Sequence, residues 1–193
     1  MFKIIFRPLL VLLFFSVLTG AVYPLLITGL SQTLFPRQAN GSIIIKDGKP
    51  IGSELIAQPF TQNKYFHGRP SAVYQTTANS SGSNYGPTSV KLMDLVKERV
   101  AAVTRTNPSA DIKNIPADLV LASASGLDPH ISPEAALLQV ERIVQARNIS
   151  KELIIKIINE NIESQQAGFL GADRVNVLKL NLAIDAIMEA KHE

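Results

Sequence analysis

The chain has 193 residues, 46% of them hydrophobic, with 19 Lys and Arg against 16 Asp and Glu and no Cys. That length accommodates one domain with an appendage, and the missing thiols exclude disulfide staples, zinc–thiolate centres and cysteine nucleophiles. Beyond Lys3 and Arg7 the basic residues alternate with acidic ones, which excludes the concentrated basic face of a nucleic-acid binder.

No charged residue falls between Arg7 and Arg37. The run PLLVLLFFSVLTGAVYPLLITGLSQTLF supplies more than the ~20 apolar residues that a helix needs to cross a bilayer. A cleaved signal peptide is the alternative, with Lys3 and Arg7 leading, Leu9 to Leu18 as its apolar region and Thr19-Gly20-Ala21 as the cleavage site. Hydrophobicity continues through Tyr23, Leu25, Leu26, Ile27 and Leu30, which favours an uncleaved anchor. Lys3 and Arg7 crowd the leading end, so the positive-inside rule orients it. Residues 1–7 are expected as a cytoplasmic tail, 8–34 as a transmembrane helix, and 35–193 as an extracytoplasmic domain. Ser16, Gly20, Pro24 and Thr28 recur every four residues and trace a slowly winding stripe. Small residues in such a stripe let membrane helices approach, although the end of a signal peptide has the same composition. Pro24 predicts a kink.

Gly41 to Gln58 reads as a hairpin: Ile43, Ile44 and Ile45 outbound, Asp47-Gly48 at the turn, and Ile51, Leu55 and Ile56 on the return. Pro59 to Pro87 is a long loop with Phe60, Tyr65, Phe66, Tyr74 and Tyr85, and loops of that length are functional or mobile. The aromatics suggest that packing orders it. Val90, Leu92, Leu95, Val96, Val100 and Val103 then predict a helix over Ser89–Thr104. A polar linker spans Thr106 to Pro116. Ser132 as cap with Pro133 behind it starts a second helix that runs to about Asn148. Ser150 caps a third, Lys151 to about Gln165, with Leu153, Ile154, Ile157, Ile158 and Ile162 on one face. Val175 to Ala190 predicts a strand or turn entering a last helix. The class is α+β: one anchor helix, then one soluble domain with a small sheet and about four helices.

Three segments invite chemistry. Ala122 to Pro133 gathers Ser125, Asp128 and His130, the residue types of a hydrolase triad. A nucleophile elbow centred on Ser125 would need glycines where Ser123 and Leu127 stand. Triad members also come from separate elements. A turn at Asp128-Pro129 followed by a capped helix accounts for the same residues. Ser80 to Ser89 is a Gly/Ser loop opening a helix, whose N–H groups suit phosphate. It lacks the lysine of a Walker loop, so Ser81, Gly82, Ser83 and Asn84 are nucleotide candidates on loop character alone. Tyr65, Phe66, His67 and Arg69 suit either a recognition surface or a packed turn. His67, His130 and His192 form no ligand-spaced cluster, so no metal site is expected.

These same segments resemble the C-subunit family of the bacterial Kdp-type potassium-transporting ATPases. The resemblance covers nearly the whole chain. It is carried by Tyr23-Pro24, Gly52 to Gln58, Tyr65-Phe66-His67-Gly68-Arg69-Pro70-Ser71-Ala72, Ser81 to Asn84, Ser123 to Ser132, Gln139-Val140-Glu141-Arg142, and Arg174 to Asn181. Ala57 stands where the family usually has Gly, and Ser80-Ser81-Gly82 where it usually has Ser-Gly-Gly. The resemblance implies a bacterial inner-membrane complex of four parts. The partners would be a potassium-binding channel-like subunit, a P-type ATPase subunit and a very small helical subunit, with membrane lipid around the anchor. This chain would be a catalytic chaperone, raising the ATPase subunit's affinity for ATP and having no cofactor of its own. The chain holds no aspartyl-phosphate motif and no selectivity-filter loop. Candidate partner-binding residues are Ser16, Gly20 and Pro24 in the anchor, with Tyr65, Phe66, His67, Arg69, Ser125, Asp128, His130, Arg142, Arg174 and Asn176 in the shared strings. An anchored extracytoplasmic hydrolase using Ser125 and His130 is the competing expectation.

Overall fold

A computed structural model describes the backbone of residues 2–73 and 79–189, with side chains from residue 5. Tyr74, Ala190 and His192 lie outside the described residues, as does the side chain of Lys3. The chain forms two compact units, residues 1–53 and 54–193.

In the first unit, α1 (Phe2–Val17) passes through a π-helical turn (Leu18–Val22) into α2 (Tyr23–Leu34). Ile5–Leu34 is a 30-residue apolar helix with no buried residue, long enough to cross a membrane. At 1.5 Å per residue it spans roughly 45 Å, more than the ~30 Å hydrocarbon core. The irregularity expected of Pro24 takes the form of the π turn just before it. Proline has no N–H to donate one turn back, and the helix widens there, with Tyr23 N–H donating to the Leu18 carbonyl. One short turn, α3 (Pro36–Ala39), follows.

The hairpin forms from β1 (Ile43–Lys46) and β2 (Lys49–Ser53), antiparallel. Asp47 and Gly48 both have positive φ, 52° and 73°, the conformation of a type I′ turn. Leu55 and Ile56 do not join the return strand, contrary to expectation. Before Ile43 the chain turns away through Gly41 and Ser42, and Ser42 N–H bonds to the Arg37 carbonyl at 2.9 Å. No outbound residue remains to pair beyond Ser53.

The second unit is α+β. It contains α4 (Val90–Thr106), 3-10 turns at Ile112–Asn114 and Ala117–Leu119, β3 (His130–Ile131), α5 (Pro133–Leu138), α6 (Val140–Arg147), α7 (Lys151–Glu160), β4 (Ile162–Glu163), β5 (Arg174–Asn176) and α8 (Val177–Glu189). The sheet order is β3-β5-β4, antiparallel throughout. Phe66, Ile131, Ile143, Ile154, Ile158, Val175, Leu180 and Ile184 are fully buried and form its centre. Both expected caps are made: Ser132 Oγ accepts from Ala135 N–H and Ser150 Oγ from Leu153 N–H.

Two helices differ from the reading of the sequence. The one expected from Ser132 to Asn148 is divided at Gln139, whose N–H reaches back only three residues to Ala136. The helix expected to reach Gln165 stops at Glu160. Asn161 N–H is shared between the Ile157 and Ile158 carbonyls at 3.2 and 2.9 Å, which tightens the last turn and occupies the acceptor that Ile162 would need. The Asn161 side chain caps the Ile157 carbonyl at 2.8 Å. Ile162 thereby leaves the helical stripe and pairs with Val175 in the sheet.

Candidate functional site

After a turn at Asn63–Lys64, loop 63–69 crosses the second unit as a strap tied down by two side-chain amides. Phe66 N–H donates to Asn181 Oδ1 at 2.8 Å, and Asn181 Nδ2 returns a bond to the Phe66 carbonyl at 3.0 Å. His67 N–H donates to Gln139 Oε1 at 2.8 Å, and Gln139 Nε2 bonds the His67 carbonyl at 3.1 Å. Each amide supplies the donor–acceptor pair that a neighbouring strand would otherwise give. The strap is held without a ladder.

Arg142 fixes the entry to the strap. It is 5% exposed and donates to the carbonyls of Asn63 and Tyr65 at 2.6 and 2.8 Å, to Asn107 Oδ1 at 3.2 Å and to Gln139 Oε1 at 2.6 Å. These acceptors are all neutral oxygens, and burial pulls the guanidinium down to about 10. The His67 ring stands 3.5 Å from Arg142 Nη1. Burial first, and then the Arg142 charge, lower the His67 pKa below its ordinary value, against a raising bond with the Gln62 carbonyl. Tyr65 completes the strap: its hydroxyl donates to Asp185, which also pairs with Arg147 at 2.7 Å, and Arg147 lies over the Tyr65 ring.

Beyond Gly68 the strap meets a ribbon of alternating charge. Arg69 pairs with Asp128 at 2.8 Å, and Asp128 lies 3.4 Å from His130 Nδ1. His130 Nε2 is 3.5 Å from Glu163, which also binds Arg174 at 3.1 Å and Lys179 at 3.2 Å. Lys179 continues to Glu54 at 2.9 Å. Burial alone would raise the Asp128 pKa, but bonds from the His130 side chain and main chain and from Arg69 hold it down, at about 2. Glu163 behaves likewise: burial opposes, and Lys179, His130 and Arg174 lower it. The small sheet makes this possible by bringing β3 beside β5 and β5 beside β4. Arg69, Asp128, His130 and Arg174 line an open cleft of about 720 Å³, together with Asp118 and Lys113.

Loops 79–84 and 123–127 interlock. Ser81 N–H and Ser80 Oγ both donate to the Ser125 carbonyl at 3.0 Å. A Cβ on Gly82 would stand 2.8 Å from the Ala124 carbonyl oxygen. Gly126 has φ +71°, and a Cβ there would meet Val73 at 2.5 Å and the Ser81 carbonyl oxygen at 2.9 Å. Ser83 is half-buried beside it, and Asn84 takes a left-handed φ of 54°. Of the nucleotide candidates, Ser81 and Gly82 are thus engaged with the 123–127 loop.

The structure distributes the candidates unevenly. Tyr65, Phe66, His67 and Arg142 are gathered at the strap, whereas Arg69, Asp128, His130 and Arg174 share the cleft. Asn176 is buried, accepting from Lys179 N–H at the start of α8 and donating to the Glu54 carbonyl. Ser16, Gly20 and Pro24 are exposed along the anchor helix, and Thr19 turns its hydroxyl onto its own helix at the Phe15 carbonyl. Ser125 and His130 have different partners. Ser125 Oγ accepts from Leu127 N–H and lies 3.2 Å from Ser123 Oγ, while the His130 ring faces Asp128 and Glu163. Glu163, Lys179, Gln139 and Asn181 complete the two clusters but were not among the candidates. Gln139 and Asn181 carried a signal, since each is an amide set inside an otherwise apolar helical stripe. Glu163 carried none, because its role depends on the helix ending at Glu160.

Comparison with known proteins agrees with this arrangement. The family model described as the c chain of K+-transporting ATPase matches residues 5–186. A potassium-transporting ATPase KdpC subunit of Methylococcus capsulatus is 53% identical over 186 residues, covering 94% of this chain and 97% of the relative. That of Rhodopseudomonas palustris (strain BisB18) is 50% identical over 195 residues, covering 93% and 96%. That of Caldanaerobacter subterraneus is 48% identical over 172 residues, covering 89% of each. With a single apolar helix leading a compact α+β unit and matches of this extent, the chain belongs to the KdpC family, the c chains of potassium-transporting ATPases.

Proposed function

We propose that the chain is a non-catalytic accessory subunit of a bacterial inner-membrane potassium uptake complex, held by its helix with the amino terminus in the cytoplasm and residues 35–193 outside. Its partners are the potassium-binding channel-like subunit, the P-type ATPase subunit and the small helical subunit. One observation carries the non-catalytic reading. The polar side chains of the shared strings bond one another and the backbone, and Ser125 and His130, the only nucleophile–base candidates of the sequence, keep separate partners.

ATP is cytoplasmic, so a domain on the other side raises ATP affinity only by favouring one conformational state of the complex. Such coupling is worth about 1–3 kcal/mol, or roughly 5–150-fold in affinity. Nucleotide contact belongs to the ATPase subunit in this reading. The test compares the ATP dependence of the complex with and without this subunit. KM for ATP should rise by a factor within that range on removal, and Ser125→Ala should leave growth on limiting potassium intact. Tight ATP binding to this chain alone, lost on altering Ser83 or Asn84, would replace coupling with direct contact. Loss of growth in Ser125→Ala with the complex still assembled would favour the hydrolase.

A further inference from the structure

The β1–β2 hairpin turns the wrong face to water. Its register pairs Ile43 with Ser53 and Ile45 with Pro50, and it shifts between Ile44 and Ile45. Directly paired residues project to the same side, so Ile43, Ile45, Pro50 and Ser53 share one face, while Ile44, Lys46, Lys49 and Gly52 share the other. On the first face Ile43 is 50% and Ile45 66% exposed, and Pro50 is exposed too. A two-stranded hairpin is marginal in water by itself. This one leaves its apolar side bare.

Its position in the chain says what covers it. The hairpin belongs to the same compact unit as the apolar helix and is tied to its end through the short linker 35–42. Ser42 N–H reaches the Arg37 carbonyl, Asn40 Nδ2 reaches Gln32 Oε1 and the Pro36 carbonyl, and Ser53 Oγ reaches the Gly41 carbonyl. Only eight residues separate Leu34, the end of the apolar helix, from Ile43, and Leu34 and Phe35 are exposed. The charges also match a lipid surface: Arg37, Lys46 and Lys49 stand against Asp47 alone between Phe35 and Ser53. Apolar side chains on one face and basic residues on the other are the pattern of a segment lying in the plane of the bilayer interface.

We propose that the β1–β2 hairpin is a second membrane-contacting element, lying in the interfacial zone with Ile43, Ile45 and Pro50 against the acyl boundary and Lys46 and Lys49 toward anionic headgroups. It stiffens the exit from the span, so the chain leaves the bilayer through a docked hairpin and not through a free tether. The proposal rests on the membrane crossing by Ile5–Leu34.

The chain has no native cysteine, so single-cysteine variants of the full chain can each carry one nitroxide. Reconstitution in vesicles of phosphatidylcholine with phosphatidylglycerol, followed by collision measurements with oxygen and with an aqueous nickel chelate, reads the depth of each site. The ratio of oxygen to nickel collisions at Ile43→Cys and Ile45→Cys should exceed that at Asp47→Cys by roughly tenfold, as for a probe seated 5–10 Å into the headgroup–acyl boundary. Pro50→Cys should agree, which guards against local unfolding of β1 in one variant. Equal access to the nickel chelate at 43, 45, 47 and 50, with a probe at Leu13 deep in the acyl region, would overturn the proposal. So would shielding of 43 and 45 that appears only when the other subunits are added, since a protein and not lipid would then cover the face. A probe at Leu13 that meets water would remove the anchor itself, and the hairpin's role with it.

Discussion

The Arg142 guanidinium donates to Gln139 Oε1 at 2.6 Å across the break between two short helices. The same oxygen takes the His67 N–H at 2.8 Å. One amide oxygen therefore binds the helical break to the strap, and a buried cation is satisfied without a carboxylate. Arg142→Met removes the donor from the Asn63 and Tyr65 carbonyls and from the buried Asn107 side chain at once, while Gln139 Oε1 keeps only the His67 N–H. Orphaned buried polar groups cost about 1–3 kcal/mol each where water cannot replace the partner. We expect a loss of about 3 kcal/mol, seen as a fall of several degrees in the thermal midpoint of the purified chain. Lys cannot reproduce the fork of donors, so Arg142→Lys should recover less than half of it.

The interlocked loops predict a sharper contrast. Gly126→Ala must place a Cβ at φ +71° against Val73 and the Ser81 carbonyl, combining strain with a clash, and should cost about 2–3 kcal/mol. Gly86→Ala has open space around its Cβ and should change stability by less than about 0.5 kcal/mol. Denaturant midpoints of the two variants check the difference.

Acid sensitivity follows from Asp128 and Glu163. Both carboxyls are held below their unfolded values, so the folded chain favours their ionised forms. Their contribution is complete above the unfolded value, 3.8 for Asp128, and disappears as pH falls through the folded value near 2. For Asp128, partly screened by solvent, it amounts to at most about 2 kcal/mol. Asp128→Asn should lower stability at pH 6 and flatten its fall between pH 4 and pH 2, measured by urea denaturation across that range.

His67 acts at higher pH. Its folded pKa lies below the ordinary 6.5 because of burial and Arg142, so the folded chain resists protonation. Stability is full above the unfolded value and is lost as pH drops through 6.5 toward the folded value. His67→Gln should remove this slope between pH 7 and pH 5. The denaturation midpoint of the wild-type chain should decline over the same interval while that of the variant stays level.

Much of this fold was legible because its signals are local. Ser132-Pro133 and Ser150 start helices where capping chemistry says they should, Asp47-Gly48 makes its turn, and one uncharged run gives one long apolar helix. What failed to show depended on partners distant in sequence. Leu55 and Ile56 look like strand residues, but no strand is left to receive them. Ile162 continues the apolar stripe of α7, yet Asn161 ends that helix and Val175 claims the isoleucine. The candidate site divided in the same way. Ser125, Asp128 and His130 lie close in sequence, but packing against Ser81 on one side and Glu163 on the other draws them to separate tasks. The strings that carry the family resemblance serve largely to hold the strap, the interlocked loops and the charge ribbon.

The most direct test of the account asks on which side of the membrane the folded unit lies. Lys91 is exposed on α4, and a cysteine placed there is the chain's only thiol. In intact spheroplasts expressing the full complex, Lys91→Cys should react with a membrane-impermeant maleimide without any permeabilisation, while a cysteine at Phe2 should stay unmodified. Labelling of Lys91→Cys only after the membrane is opened would put the unit on the side where ATP resides, and control of ATP affinity across the bilayer would be contradicted.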